Sequence, residues 1–131
     1  EKVRERLQNS FESSDPLRSI LSIGHDSSAT IAELTALALR SEKIRVEMNQ
    51  HITEFRKLLV SAIDRYLESR GVSNSVSSTV LATVMTSISQ TMALESSLGV
   101  TFGHRDTEVF AENWICMLEN GEMNNPAGSI N

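Results

Sequence analysis

At 131 residues the chain has the length of one domain, and a core of that size buries roughly two-thirds of the surface that the unfolded chain exposes. Six Gly and two Pro beside 40% hydrophobic residues disfavour a turn-rich β fold and point to long helices. Seventeen Asp and Glu against 12 Lys and Arg give a net charge of -5 with no long basic run, which makes this segment a poor binder of nucleic acid or of an anionic membrane surface.

Val3, Leu7 and Phe11 stand four residues apart and predict a short helix over 1–13. Asp15-Pro16 opens a second one, because Asp caps an N-terminus and Pro suits the first helical position. That helix carries Leu17, Ile20 and Leu21 and ends near Gly24, before a polar break at His25-Asp26-Ser27-Ser28. Thr30 and Glu33 have capping-box spacing, and Ile31, Leu34, Leu37 and Ala38 form one apolar face to about Arg40. Ser41 caps the longest helix. Ile44, Met48, Ile52, Phe55, Leu59, Ile63 and Tyr66 recur along it at helical spacing, and Gly71 is its stop, with Arg65 and Arg70 near its C-terminus.

After a Ser-rich stretch at 72–79, a helix is predicted from about Ser75 to Leu98, stopped by Gly99. Val80, Val84, Ile88 and Thr91 lie on one side of it, while Leu81, Met85, Met92 and Leu98 widen the apolar arc. A helix apolar around most of its girth is buried on more than one side. The last helix is expected from Asp106-Thr107 to Gly121, with Val109, Phe110, Trp114, Ile115, Met117 and Leu118 covering a broad arc. The expectation is thus an all-α fold of about six helices in one domain over 1–121, with a disordered tail at 122–131. The final two helices carry more apolar surface than one small core needs. A second copy related by a two-fold axis is the commonest way to cover it.

The order of these elements, with Asp15-Pro16-Leu17, the ELTALALRSEKIR stretch from Glu33 to Arg45, Phe55-Arg56-Lys57-Leu58-Leu59, Gly71 and Leu98-Gly99, resembles the C-terminal region of the tetracycline-repressor (TetR) family over most of 1–121. The resemblance implies an antiparallel helical bundle that forms a homodimer through its last two helices. It also implies a pocket for a small, apolar effector and a transcriptional role exerted through an N-terminal helix-turn-helix that this chain does not contain. On that reading DNA is met only through the missing module, and effector binding shifts a two-state equilibrium that spaces two DNA-reading heads. The chain opens at Glu1 without an initiator Met, which suits a piece of a longer protein.

The expected pocket residues are Phe11, Leu21, Met48, His51, Phe55, Met85 and Met92, with Trp114 as a further candidate lining. Pockets combine apolar walls with a few placed polar groups, and His51 would be such a group; otherwise it is a half-exposed helix histidine, and the Met and aromatic residues are plain core. The expected interface comprises Val80, Val84, Ser87, Ile88, Thr91, Phe110, Trp114 and Met117, where small Ser and Thr allow close helix approach and Trp favours binding hot spots. Gln90 and Glu95 are either hydrogen-bonding groups of the pocket or the rim of the interface.

Glu47, His51 and Glu54 share a helix face, but no second Glu-x-x-His set accompanies them, so a solvated face is expected and no metal or other cofactor is assigned. No Gly-x-Ser-x-Gly elbow or Gly-rich phosphate loop is present, no catalytic residue is assigned, and His104 reads as part of a connector. Cys116, the single cysteine, cannot form an internal disulfide. It suits a cytoplasmic setting and is expected to be a buried apolar filler. No apolar run approaches the ~20 residues of a membrane span, and no signal-peptide pattern is seen. Besides the regulator, two other readings stay open: a helical homodimeric interaction module with no small-molecule ligand, and an enzyme built on a helical bundle.

Overall fold

A computed structural model describes residues 5, 17–18, 28–72 and 76–121 of the chain. Among them the fold is all-α, with four helices in the order α1 (Ser28–Ala38), α2 (Glu42–Ser69), α3 (Ser78–Ser97) and α4 (His104–Glu119). The helices expected over 1–13 and 17–24 lie outside the described residues, except that Glu5, Leu17 and Arg18 are helical. The tail at 122–131 lies outside them too.

The helix ends follow local chemistry. Ser41 caps α2, its side chain accepting from the Ile44 N–H, and Ser77 caps α3, accepting from the N–H groups of Thr79 and Val80. The cap at Ser77 starts α3 three residues later than the Ser-rich composition suggests. Asp64 of α2 accepts a hydrogen bond from the Ser78 hydroxyl and so places a carboxylate at the positive end of α3. Helix α1 begins at Ser28, so Thr30 lies inside it and is not an N-cap.

Helices α2 and α3 both close with the same paired hydrogen bonds. The Gly71 and Val72 N–H groups donate to the Glu68 and Leu67 carbonyls, and those of Gly99 and Val100 donate to Ser96 and Glu95. In each case the glycine sits at positive φ, 65° at Gly71 and 79° at Gly99. A Cβ at Gly99 would meet nothing within 4 Å, so backbone conformation alone makes glycine preferable there. Gly99→Ala should therefore cost about 1 kcal/mol, the ordinary penalty of a left-handed non-glycine residue. Urea denaturation of the variant checks this; no loss of stability would mean that the α3–α4 turn does not hold this conformation.

The core is built from the second half of α2 (Leu59, Ile63, Leu67), one face of α3 (Leu81, Ala82, Met85), Ile115 and Leu118 of α4, and Leu17. Phe55, Val60, Tyr66, Val72, Val76 and Trp114 pack around its edge. The periodicity of α2 continues N-terminally through Met48 and Ile52, yet burial does not. Met48 is half-buried, and Val46 and Ile52 are exposed. Helix α1 packs against α2 and α3, and from Thr30 onward it buries Ala38 while leaving Leu34 and Leu37 exposed. Thr86 and Ser89 are the buried polar residues of α3. The Thr86 hydroxyl donates to the Ala82 carbonyl at 2.7 Å, so its burial leaves no unmet donor.

Candidate functional site

Helix α3 has two faces of opposite fate. Leu81, Ala82, Met85, Thr86, Ser89 and Ala93 point into the protein and are buried. On the other side, Val80, Val84, Ser87, Thr91, Leu94 and Leu98 alternate at spacings of four and three, the rhythm of a helix–helix seam. None of these six is buried: Val80, Ser87, Thr91, Leu94 and Leu98 are exposed and Val84 is half-buried. Leu94 is 42% exposed and Leu98 72%.

The seam carries no charge. Glu95 is the one charged residue of α3, and its carboxylate turns to His104 of α4, Oε2 to Nε2 at 2.8 Å. The Ser96 hydroxyl lies 3.5 Å from the other ring nitrogen. The Ser87 hydroxyl is met inside the helix, donating to the Thr83 carbonyl at 2.6 Å. A surface without charge can be covered at a lower desolvation cost than a charged one.

Helix α4 has three faces. Ala111, Ile115 and Leu118 are buried. Phe110, Trp114 and Met117 form an apolar face, on which the Phe110 and Trp114 rings stack with centroids 6.4 Å apart. Phe110 is 61% exposed, Met117 is exposed and Trp114 is half-buried against the core edge. Glu112, Cys116 and Glu119 make up the third face, which meets Arg18. The Glu95–His104 contact fixes the start of α4 beside the flank of α3 next to the seam.

Of the expected interface residues, Val80, Val84, Ser87 and Thr91 lie on the α3 seam, with the half-buried Ile88 at its edge. Phe110, Trp114 and Met117 share the apolar face of α4. Leu94 and Leu98 lie on the same seam as Val80, and the spacing from Val80 could have found them. Phe102, 96% exposed in the α3–α4 turn, extends the apolar surface.

The expected pocket residues are scattered by comparison. Phe11 and Leu21 lie outside the described residues. Met85 is fully buried in the core, Phe55 packs on the core edge, Met48 and Met92 are half-buried, and His51 is exposed. Gln90 is exposed, and the half-buried Glu95 holds His104.

Two other expectations are corrected. Cys116 is exposed, because it stands one position past the buried Ile115 and the helical turn carries it out to the Glu112–Glu119 stripe. His104 is the first residue of α4 and not a connector: Gly103, at φ 80°, starts the helix, and the Thr107 hydroxyl donates back to the Gly103 carbonyl.

Among the described residues no three His, Cys, Asp or Glu side chains gather where they could hold a metal ion, and no helix is long and apolar enough to cross a membrane. Comparison of the chain with family profiles, with curated proteins and with solved structures gives no match.

Proposed function

We propose that the domain is a homodimerising helical module, the effector-binding and dimerisation half of a TetR-type transcriptional regulator, which pairs through α3 and α4. The observation that carries this reading is the uncharged seam from Val80 to Leu98, beside the Phe110–Trp114–Met117 face. A two-fold axis sets a surface against its own copy, and residues close to the axis meet themselves, so a charge there would face the same charge. The seam has none, and this favours a second copy as its occupant. Four helices, two from each protomer, would then pack at the close spacing that Ser87 and Thr91 allow.

The regulatory half of the proposal needs an effector held in the bundle and a DNA-reading module joined to it. Met48, Ile52 and Phe55, which α2 leaves partly exposed before its core segment, supply apolar side chains that such an effector would meet. Met85 favours the second reading at its own position. It is 1% exposed and packed among core residues of α2, α3 and α4, as in a homodimeric module with no ligand there.

Light scattering over a range of concentrations tests the proposal. The expected molar mass is twice 14.5 kDa, persisting on dilution to low micromolar protein. A mass of 14.5 kDa throughout would remove the dimer and with it the main support for the regulator. A screen of small apolar molecules for thermal stabilisation then separates the two readings, since a ligand bound only to the folded state raises the melting temperature.

A further inference from the structure

Arg18 meets the third face of α4 with most of its guanidinium. Its Nε donates to Glu112 Oε2 at 2.7 Å, one terminal nitrogen donates to Glu119 Oε1 at 3.1 Å, and the other lies 3.4 Å from Cys116 Sγ. Glu112, Cys116 and Glu119 stand at i, i+4 and i+7, so the contact runs along two turns of the helix. Leu17, the preceding residue, is fully buried against α2, α3 and α4. The backbone at 17–18 is therefore seated in the core while the side chain of Arg18 holds the outside of α4.

The position of that clamp gives it a second consequence. On a helix of 3.6 residues per turn, the Glu112–Cys116–Glu119 stripe lies nearly opposite the Phe110–Trp114–Met117 face, with the buried Ala111, Ile115 and Leu118 between them. Only those three side chains of α4 are buried, so its seating rests on a narrow apolar strip. Arg18 thus holds α4 on the side away from the Phe110–Trp114–Met117 face.

We propose that Arg18 is a positioning residue that couples the segment at residues 17–18 to the self-association face of α4, so that releasing its contacts with Glu112 and Glu119 weakens the dimer. The coupling rests on the dimer proposed above. It identifies the route by which a displacement of residues 17–18 reaches the interface, and Arg18 does this without touching the interface itself.

The test measures the dimer dissociation constant of the chain by sedimentation equilibrium, together with hydrogen exchange along α4. The variants are Arg18→Met, the pair Glu112→Gln with Glu119→Gln, and all three combined. Arg18 and Glu112 are partly solvated, 32% and 52% exposed, so each charged contact is modest. Arg18→Met should weaken association roughly threefold to tenfold, the range that one or two such contacts convert to. It should also speed exchange in α4, and the triple variant should be no weaker than Arg18→Met alone, because the contacts with Glu112 and Glu119 are already lost in Arg18→Met.

An Arg18→Met protein that dimerises like the wild type, with unchanged exchange in α4, would overturn the coupling and leave the dimer standing. Additive losses in the triple variant would also overturn it, since Arg18 would then act by another route. A monomeric wild type would sink the dimer reading first, and that result is visible before any variant is made. Should Arg18→Met fail to fold, the Glu112→Gln/Glu119→Gln chain carries the same comparison from the helix side.

Discussion

Leu94→Arg is expected to turn the dimer into a monomer at concentrations where the wild type stays paired. Leu94 lies on the α3 seam and is 42% exposed, so the longer side chain fits the isolated protomer without strain. In a two-fold interface the substitution occurs twice, and each guanidinium would be desolvated with no carboxylate opposite it, because the seam residues carry none. Removing an unpaired charge from water costs several kcal/mol. The dissociation constant should rise by about 100-fold or more, since 1.4 kcal/mol is a factor of ten. Helix content and the unfolding midpoint of the monomer should stay within the roughly 0.5 kcal/mol typical of surface changes. Glu68→Arg, an exposed charge change on α2, is the control and should leave the molar mass as it is. If Leu94→Arg remains a dimer of wild-type affinity, the seam is not the interface.

Leu81→Ala should destabilise the folded protomer more than Gly99→Ala or any change on the seam. Leu81 is 0% exposed within the cluster shared by Leu59, Ile63, Met85 and Ile115. Truncating it removes transfer free energy and leaves a cavity that helices on both sides cannot fully close. The loss should be about 3 kcal/mol, a large part of the stability of a small domain. In thermal terms that is a fall of roughly 10 °C. Val80 is the neighbouring residue but points outward and is 49% exposed, so Val80→Ala should cost the monomer less than about 1 kcal/mol while weakening association. Denaturant unfolding of both variants, at concentrations below the dissociation constant, separates the two faces of α3. Equal losses at the two positions, or a larger loss at Val80, would show that the helix is rotated from this orientation.

Helix existence and helix ends were the most legible features. Ser41 and Gly71 bracket α2, and Gly99 ends α3, because caps and positive-φ glycines act within a few residues of their own position. Periodicity sorts the side chains of α3 by direction, but the expected burial on more than one side is not seen in the single chain, where the Val80–Leu98 side is left uncovered. Where periodicity misled, it did so about burial. Met48, Ile52 and Phe55 continue the stripe of Leu59 and Ile63, but full burial along α2 begins only at Leu59.

The sequence by itself determined the all-α fold and most of the helix boundaries among the described residues, together with an acidic charge balance. The tertiary structure decided which face of each helix is covered. It put Met85 into the core and left Leu94 outside, though both are large apolar residues of the same helix. It also joined Arg18 to Glu112 and Glu119, 94 and 101 residues away. The physical reason is range. Caps, turns and helical periodicity depend on neighbours a few positions apart, whereas burial and ion pairing depend on which distant elements the folded chain brings alongside.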